Sequence, residues 1–419
     1  MTWLEGQIGD FADIKHGFAF KGEHFSDEGQ RIVLTPGHCF EGGGFRPRGD
    51  KEKFYDGPVP DGYLLSRGDT LVVMTDLVSA APVLGASFRI PEDDRYLHNQ
   101  RLGLVSITRP GLIDERFLYH LFNTYVYRAQ VRGSASGATV RHTSPGRIKA
   151  CRVRYPDTLR EQARIAEFAD SYDDLIENNR RRIALLAEAA RLLYREWFVH
   201  LRFPGHEHAA IADGLPQGWC IRALSSLCPS GDGIQTGPFG SQLHQSDYSD
   251  DGVPVIMPKD IAGSRLKTDG FARIPEDLAA RLSRHRMEVG DTVYGRRGDI
   301  GRRAYIGVRQ RGWLCGTGSL RIRPNSNEIV PRYLFDTLGS PATSGFIANQ
   351  AKGSTMPNLS AGALQRVPVL CPPQRIQELY AAEAEPIAEL IEVLSELCQQ
   401  LAKARDLLLP RLMSGEIAV

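Results

Sequence analysis

The amino-acid sequence repeats itself at a distance of about 216 residues, and this repeat constrains the fold more than any other feature. "TWLEGQIGDFADIKHGFAF" near the start resembles "GWCIRALSSLCPSGDGIQTGPFG" at 218–240, which aligns Trp3 with Trp219. "SRGDTLVVM" (66–74) resembles "EVGDTVYGR" (288–296), aligning Gly68 and Asp69 with Gly290 and Asp291. "HNQRLGLVSITRPGLIDERFLYHLF" (98–122) matches "LCGTGSLRIRPNSNEIVPRYLFDTL" (314–338). "SGATVRHTSPGRIKACRVRYP" (136–156) matches "KGSTMPNLSAGALQRVPVLCP" (352–372). A repeat of this kind, with only a short insertion between copies, predicts two copies of one structural unit.

Each copy ends in a long helical pattern. Ile176, Asn179, Ile183, Leu186, Ala190, Leu193 and Trp197 step forward by three and four residues in alternation, the seam of a helix that lies against another helix. Ile387, Leu390, Leu394, Leu397, Leu401, Ala404 and Leu408 form a second such seam. Pro386 is expected to kink or restart that second helix, because proline lacks a backbone donor and clashes with the preceding turn. The pattern predicts that 160–200 packs against 374–409 as a coiled-coil spacer; packing of each helix on its own domain is the competing arrangement. Within the copies, short β-branched runs such as "DTLVVM" (69–74) and "SLRIRP" (319–324) alternate with Gly, Pro and Asp turns and with amphipathic helices. The expected class is α+β: two similar mixed α/β domains joined by two long helices packed as a coiled coil, with a pseudo-two-fold internal repeat. Expected boundaries are 1–157 and 218–372 for the domains, 158–200 and 373–419 for the helices, and 201–217 for a Gly-, Pro- and His-rich linker.

Composition is globular, with 42% hydrophobic and 24% charged residues. No apolar run reaches the roughly 18 residues needed to span a bilayer, so no membrane association is expected. The start shows no secretory h-region, and seven cysteines occur without a CxxC pair. A reduced, cytoplasmic setting is the expectation. The net charge of +1 hides segregation: residues 273–332 carry thirteen arginines against six acidic residues, whereas 373–419 carry four basic against eight acidic residues. Only nine of the 51 basic residues are lysine. The guanidinium fork suits phosphate and guanine, although high genomic G+C gives the same bias.

Catalytic signatures are absent from the sequence. There is no GxGxxG after a strand, no GxxxxGK[ST], no NPPY- or DPPY-type motif, no HExxH and no GxSxG elbow. His206, Glu207 and His208 are neighbours on a loop and lack the i, i+4 spacing of converging ligands. The binding reading is stronger. Arg296, Arg297, Arg302 and Arg303 surround Gly298 and Gly301, a turn that brings guanidiniums together near a phosphate; a solvated basic hairpin is the plainer alternative. "AKGSTMPNLS" (351–360) supplies Lys352, Ser354, Thr355, Asn358 and Ser360, and its counterpart supplies Thr139, Arg141, His142, Thr143, Ser144 and Arg147. Such short donors and acceptors suit phosphates or base edges, although a repeated structural turn looks the same. Lys259 is a further candidate contact.

"YDDLIENNRRRIALLAEAARLLYREWFVHLRFPGHE" (172–207), "LLLPRLMSGEI" (407–417) and "GSTMPNLS" (353–360) resemble the specificity subunit of type I restriction-modification systems, in the right order along nearly the whole chain. The Pro386 interruption and "QEL" after Arg375 depart from its regular second spacer. The resemblance implies two target-recognition domains, each reading one half of a split, asymmetric site on double-stranded DNA, with adenine methylated in each half. It implies no chemistry in this chain. Two methyltransferase subunits would bind its spacers, and translocating restriction subunits would join the assembly, which serves defence against phage. S-adenosylmethionine, ATP and magnesium would belong to those partners. A helix of about 31 residues is roughly 47 Å long, comparable to the ~34 Å between half-sites one DNA turn apart, so the spacer could act as a ruler. Asn179 is a candidate for fixing register. Two other readings compete: a divergent DNA methyltransferase or nuclease, and a protein-docking scaffold around a coiled coil.

Overall fold

The computed structural model describes residues 2–297, 300–350 and 358–417. It divides into two compact units, Met1–Arg181 with Leu397–Val419, and Arg182–Glu396. This division cuts across the five segments expected from sequence. Each unit holds one globular copy of the repeat and a part of both long helices, so the helices are not bodies of their own.

In the first unit, Trp3–Gln7 pairs antiparallel with Arg152–Pro156, joining the two ends of the globular part. The main sheet has the order Ala12–His16, Leu102–Ile107, Thr70–Val73, Ser87–Arg89, with every pairing antiparallel. Thr70–Val73 is buried along its whole length, as a β-branched run covered on both faces should be. A smaller sheet orders Phe25–Ser26, Phe54–Tyr55, Ile32–Val33 and Tyr96–Leu97, the last two running parallel. Three helices follow, Glu115–Phe122, Tyr125–Ser134 and Pro145–Lys149.

The second unit repeats this plan. Cys220–Ala223 pairs with Pro368–Cys371. The main sheet runs Ile234–Thr236, Ser319–Ile322, Thr292–Gly295, Arg303–Tyr305. Ala272–Ile274, Val253–Ile256 and Leu314–Cys315 reproduce the smaller sheet with its parallel pair. Pro331–Leu338, Pro341–Gln350 and Ala361–Gln365 each begin 216 residues after their counterparts. The repeated Gly-Asp pairs have the same role in both units. Gly68 (φ 92°) and Gly290 (φ 91°) turn the chain in the left-handed region, and Asp69 and Asp291 accept from the backbone N–H of Ser66 (2.9 Å) and Glu288 (2.8 Å). The turn feeds the central strand.

The long helices run Leu159–Phe198 and Gln374–Ser414. Both expected packing modes operate together. In the first unit, Ile165, Ala166 and Ala169 enter the globular core, and Leu409, Leu412 and Met413 from the second helix join them. Asp173 pairs with Arg405, and the Cys398 thiol donates to the Ile176 carbonyl (3.6 Å). In the second unit, Phe198 and Tyr380 meet at 5.0 Å between ring centroids, with Trp197, Tyr194 and Tyr333 around them. Leu193 is half-buried against this cluster.

Two expectations about the helices are corrected. The second helix does not restart at Pro386 but runs through it as one element; Pro386 is exposed along with Ala382 one turn earlier, so water can satisfy the carbonyl that proline leaves unbonded. The second seam also rotates. Leu394 is buried (4% exposed), but Leu390 and Leu397 are 38% and 40% exposed, and Ile391 is buried instead. Leu401 and Leu408 are half-buried, as are Ile183 and Leu186 on the first helix. A straight helix drifts against a 3.5-residue repeat, and this one must also face a globular core. Ile176 and Asn179 are buried where the first seam placed them. The stretch expected as linker is partly structured: Ile211–Ala212 pairs with Leu215–Pro216 across an Asp213-Gly214 turn whose residues both have positive φ.

Candidate nucleic-acid interface

The repeated polar loop occupies the same place in both units. In the first, the central strand continues into Thr75–Asp76, which pairs with Arg141–His142. Ser136 and His142 close the loop by exchanging backbone hydrogen bonds of 2.9 and 2.8 Å. Gly137, at φ 94°, is required here, since a Cβ would sit 1.9 Å from the Val140 carbonyl oxygen. Thr139 is exposed at the tip. In the second unit Arg297 bridges Asn358, and the Leu359 N–H donates to the Arg296 carbonyl (2.9 Å). His142 and Asn358 are 216 residues apart, so one tether recurs.

Other loops converge on the same sheet end. In the first unit a Cβ on Gly17 would fall 2.0 Å from the Asn99 carbonyl oxygen. Gln100 N–H donates to Phe18 O (2.9 Å), and Met74 N–H donates to Arg101 O (2.9 Å). His16, Gln100, Arg101, His142 and Arg147 are exposed there. Lys15 donates to Gly62 O (2.8 Å) and stands 4.2 Å over the Tyr63 ring. In the second unit a Cβ on Gly237 would fall 2.0 Å from Gly316 O, Thr317 donates to Pro238 O (2.8 Å), and Arg296 N–H donates to Gly318 O (2.9 Å). Lys259 is exposed on the turn whose Pro258 abuts Gly318. Phe239 projects beside them, 62% exposed.

The expected contact residues divide by environment. Thr139, His142, Arg147, Lys259, Arg297 and Asn358 are exposed on this end of their sheets; Lys352, Ser354 and Thr355 lie outside the described residues. Ser144 and Ser360 cap the short helices that follow the loops, accepting from the backbone N–H of Arg147 and Ala363. Arg141 is half-buried and donates to the Arg132 carbonyl (2.9 Å). Arg296 donates to Leu359 O (3.1 Å), and Arg302 is half-buried. Arg303 points inward: it donates to Phe335 O (3.1 Å) and stacks 4.8 Å from that ring, and burial pushes its pKa down. Because Arg303 and its neighbours are engaged internally, the arginine-rich segment is not one open positive face. Arg321 and Arg323 are tied to Asp232, with Arg323 also bidentate on Asp291 (2.9 and 2.8 Å), and Arg332 is paired with Asp336. His16, Gln100, Arg101 and Phe239 were not legible as site residues. The only hint was the glycine, Gly17 or Gly237, that lets two backbones touch beside them. Among the described residues no group of three or more His, Cys, Asp or Glu side chains could hold a metal ion.

Comparison with known proteins agrees with this plan. Residues 1–188 match the family described as type I restriction modification DNA specificity domain. The chain is 23% identical over 321 residues to the type I restriction enzyme MjaIX specificity subunit of Methanocaldococcus jannaschii, covering 75% of this chain and 71% of that one. It is 22% identical over 403 residues to the type I restriction enzyme EcoBI specificity subunit of Escherichia coli, covering 91% and 80%. Its fold is that of the type I restriction-modification system S subunit from M. genitalium, with a TM-score of 0.60 at 16% identity over 98% of this chain and 96% of that one. The matched residues, 1–188, hold one full copy of the repeat and much of the first long helix.

Proposed function

We propose that this chain is the non-catalytic, sequence-specific DNA-recognition subunit of a type I restriction-modification complex, with each unit reading one part of a bipartite, asymmetric target. The observation that carries this reading is the recurrence of one tethered polar loop at the same sheet end in both units, at a spacing of 216 residues. Phosphate contacts from exposed Arg147, Lys259 and Arg297 would position the duplex, and polar tips such as Thr139, His142 and Asn358 would approach base edges. The partners are two methyltransferase subunits and the restriction subunits, which bring S-adenosylmethionine, ATP and magnesium. Leu185 and Leu192 on the first long helix, and Leu390 and Val393 on the second, are exposed apolar residues available to those subunits. The assembly works in the cytoplasm, where the DNA is.

The test is modified-base sequencing of DNA from cells that express the chain with its methyltransferase subunit. A bipartite motif with a fixed gap, lost when the chain is omitted, is the expected result. A stable, active complex that leaves no new methylated motif would overturn the reading.

A further inference from the structure

Cys220 and Cys371 stand directly opposite each other on the antiparallel ladder that joins the first and last strands of the second globular copy. The ladder is in firm register, with the Leu224 N–H donating to Val367 O at 2.9 Å. Opposed residues in such a ladder have Cα atoms about 4.5–5.5 Å apart, inside the ~4.4–6.8 Å that a disulfide spans. As directly opposed residues, their side chains lie on the same face of the ladder. Cys220 is exposed and Cys371 is buried. The first unit has the same ladder in the same register, but there Leu4 faces Tyr155, so the fold itself does not require sulfur at these positions. Cys371 lies three residues before the second long helix begins at Gln374.

We propose that Cys220 and Cys371 are a redox-modification site, which closes into a cross-strand disulfide when a low-molecular-weight disulfide oxidises it. The Cys220 thiol loses its proton and attacks the small disulfide, breaking that S–S bond, forming a mixed disulfide and releasing one small thiol. The Cys371 thiol then loses its proton and attacks the Cys220 sulfur, releasing the second small thiol. Two protein thiols are oxidised by two electrons, and one small disulfide is reduced to two thiols. Exposure puts Cys220 first in this order. Burial pushes the Cys371 thiol up to about 11, so it is a poor first nucleophile and reacts only once the mixed disulfide stands beside it. The bond clips the two ends of the second globular copy together just before the chain enters the long helix, and excess reductant opens it.

The full-length chain, reduced and then incubated with oxidised glutathione, tests this by counting free thiols after denaturation and by mapping linked peptides. The expected result is a fall from seven free thiols to five, with one intrachain link between Cys220 and Cys371 that dithiothreitol reverses. Cys220→Ser, at an exposed position, should keep its six remaining thiols under the same treatment. A persistent glutathione adduct on Cys220 with Cys371 still free would overturn the proposal. So would a disulfide between chains through Cys220.

Discussion

Arg297 and Arg303 sit six positions apart in one basic stretch, and the fold gives them different work. Arg297 is exposed at the rim of the tethered loop, whereas the Arg303 guanidinium lies over Phe335 and bonds its carbonyl. In the partner complex, Arg297→Ala should reduce the salt slope of DNA binding by about 1. Arg303→Ala should leave that slope alone and lower stability by about 1–3 kcal/mol; titrations at several salt concentrations beside urea unfolding separate the two. Sequence could not sort them, because burial of a guanidinium depends on a helix thirty residues away. Ser144 and Ser360 make the same point. A serine after a Gly-rich loop reads equally well as a phosphate ligand or a helix cap, and only the backbone shows both oxygens receiving N–H groups. His98 adds a pH dependence. It is fully buried, its Nε2 lies 2.9 Å from Leu102 O, and burial pushes its pKa down to about 4 from an ordinary 6.5. Between those values the unfolded chain binds a proton that the folded chain refuses, so stability falls as pH drops from about 6.5 to 4 and this contribution flattens below. The urea midpoint followed across that window should show the slope, and His98→Gln should make it shallower. An unchanged slope would place the acid sensitivity elsewhere.

At the level of elements, both long helices were legible from spacing, and so was the order of the two globular copies. The orientation of the second helix was not. Its leucines define a seam that shares Leu394 with the buried face and misses it at Leu390 and Leu397, because what each turn faces is set by tertiary packing, which the heptad pattern does not encode. Leu394→Ala should therefore cost about 2–5 kcal/mol by opening a cavity. Leu397→Ser, at an exposed position, should change the chain's own stability by about 0.5 kcal/mol or less but weaken association with the methyltransferase subunit. Equal effects of the two on unfolding would mean that the buried face has been misassigned. The small paired strands that place the loops escaped the sequence pattern for another reason: runs of two or three residues have no period to detect.

Over the whole molecule, the first unit is discontinuous, needing both residues 1–181 and 397–419, whereas the second is a single continuous segment. Leu409, Leu412 and Met413 belong to the first unit's core, and Gly415 lies against the Trp3 indole. A chain ending at residue 396 should then yield a protease-resistant fragment from the second unit while the first is digested. Resistance of both would show that the first core closes without its last helix. The arrangement also has a temporal side. A ribosome delivers residue 397 some 216 residues after residue 181. At about 5–20 residues per second, that is a wait of roughly 10–40 s. The half of the protein made first is the half finished last, and until then its unfilled core is exposed to chaperones.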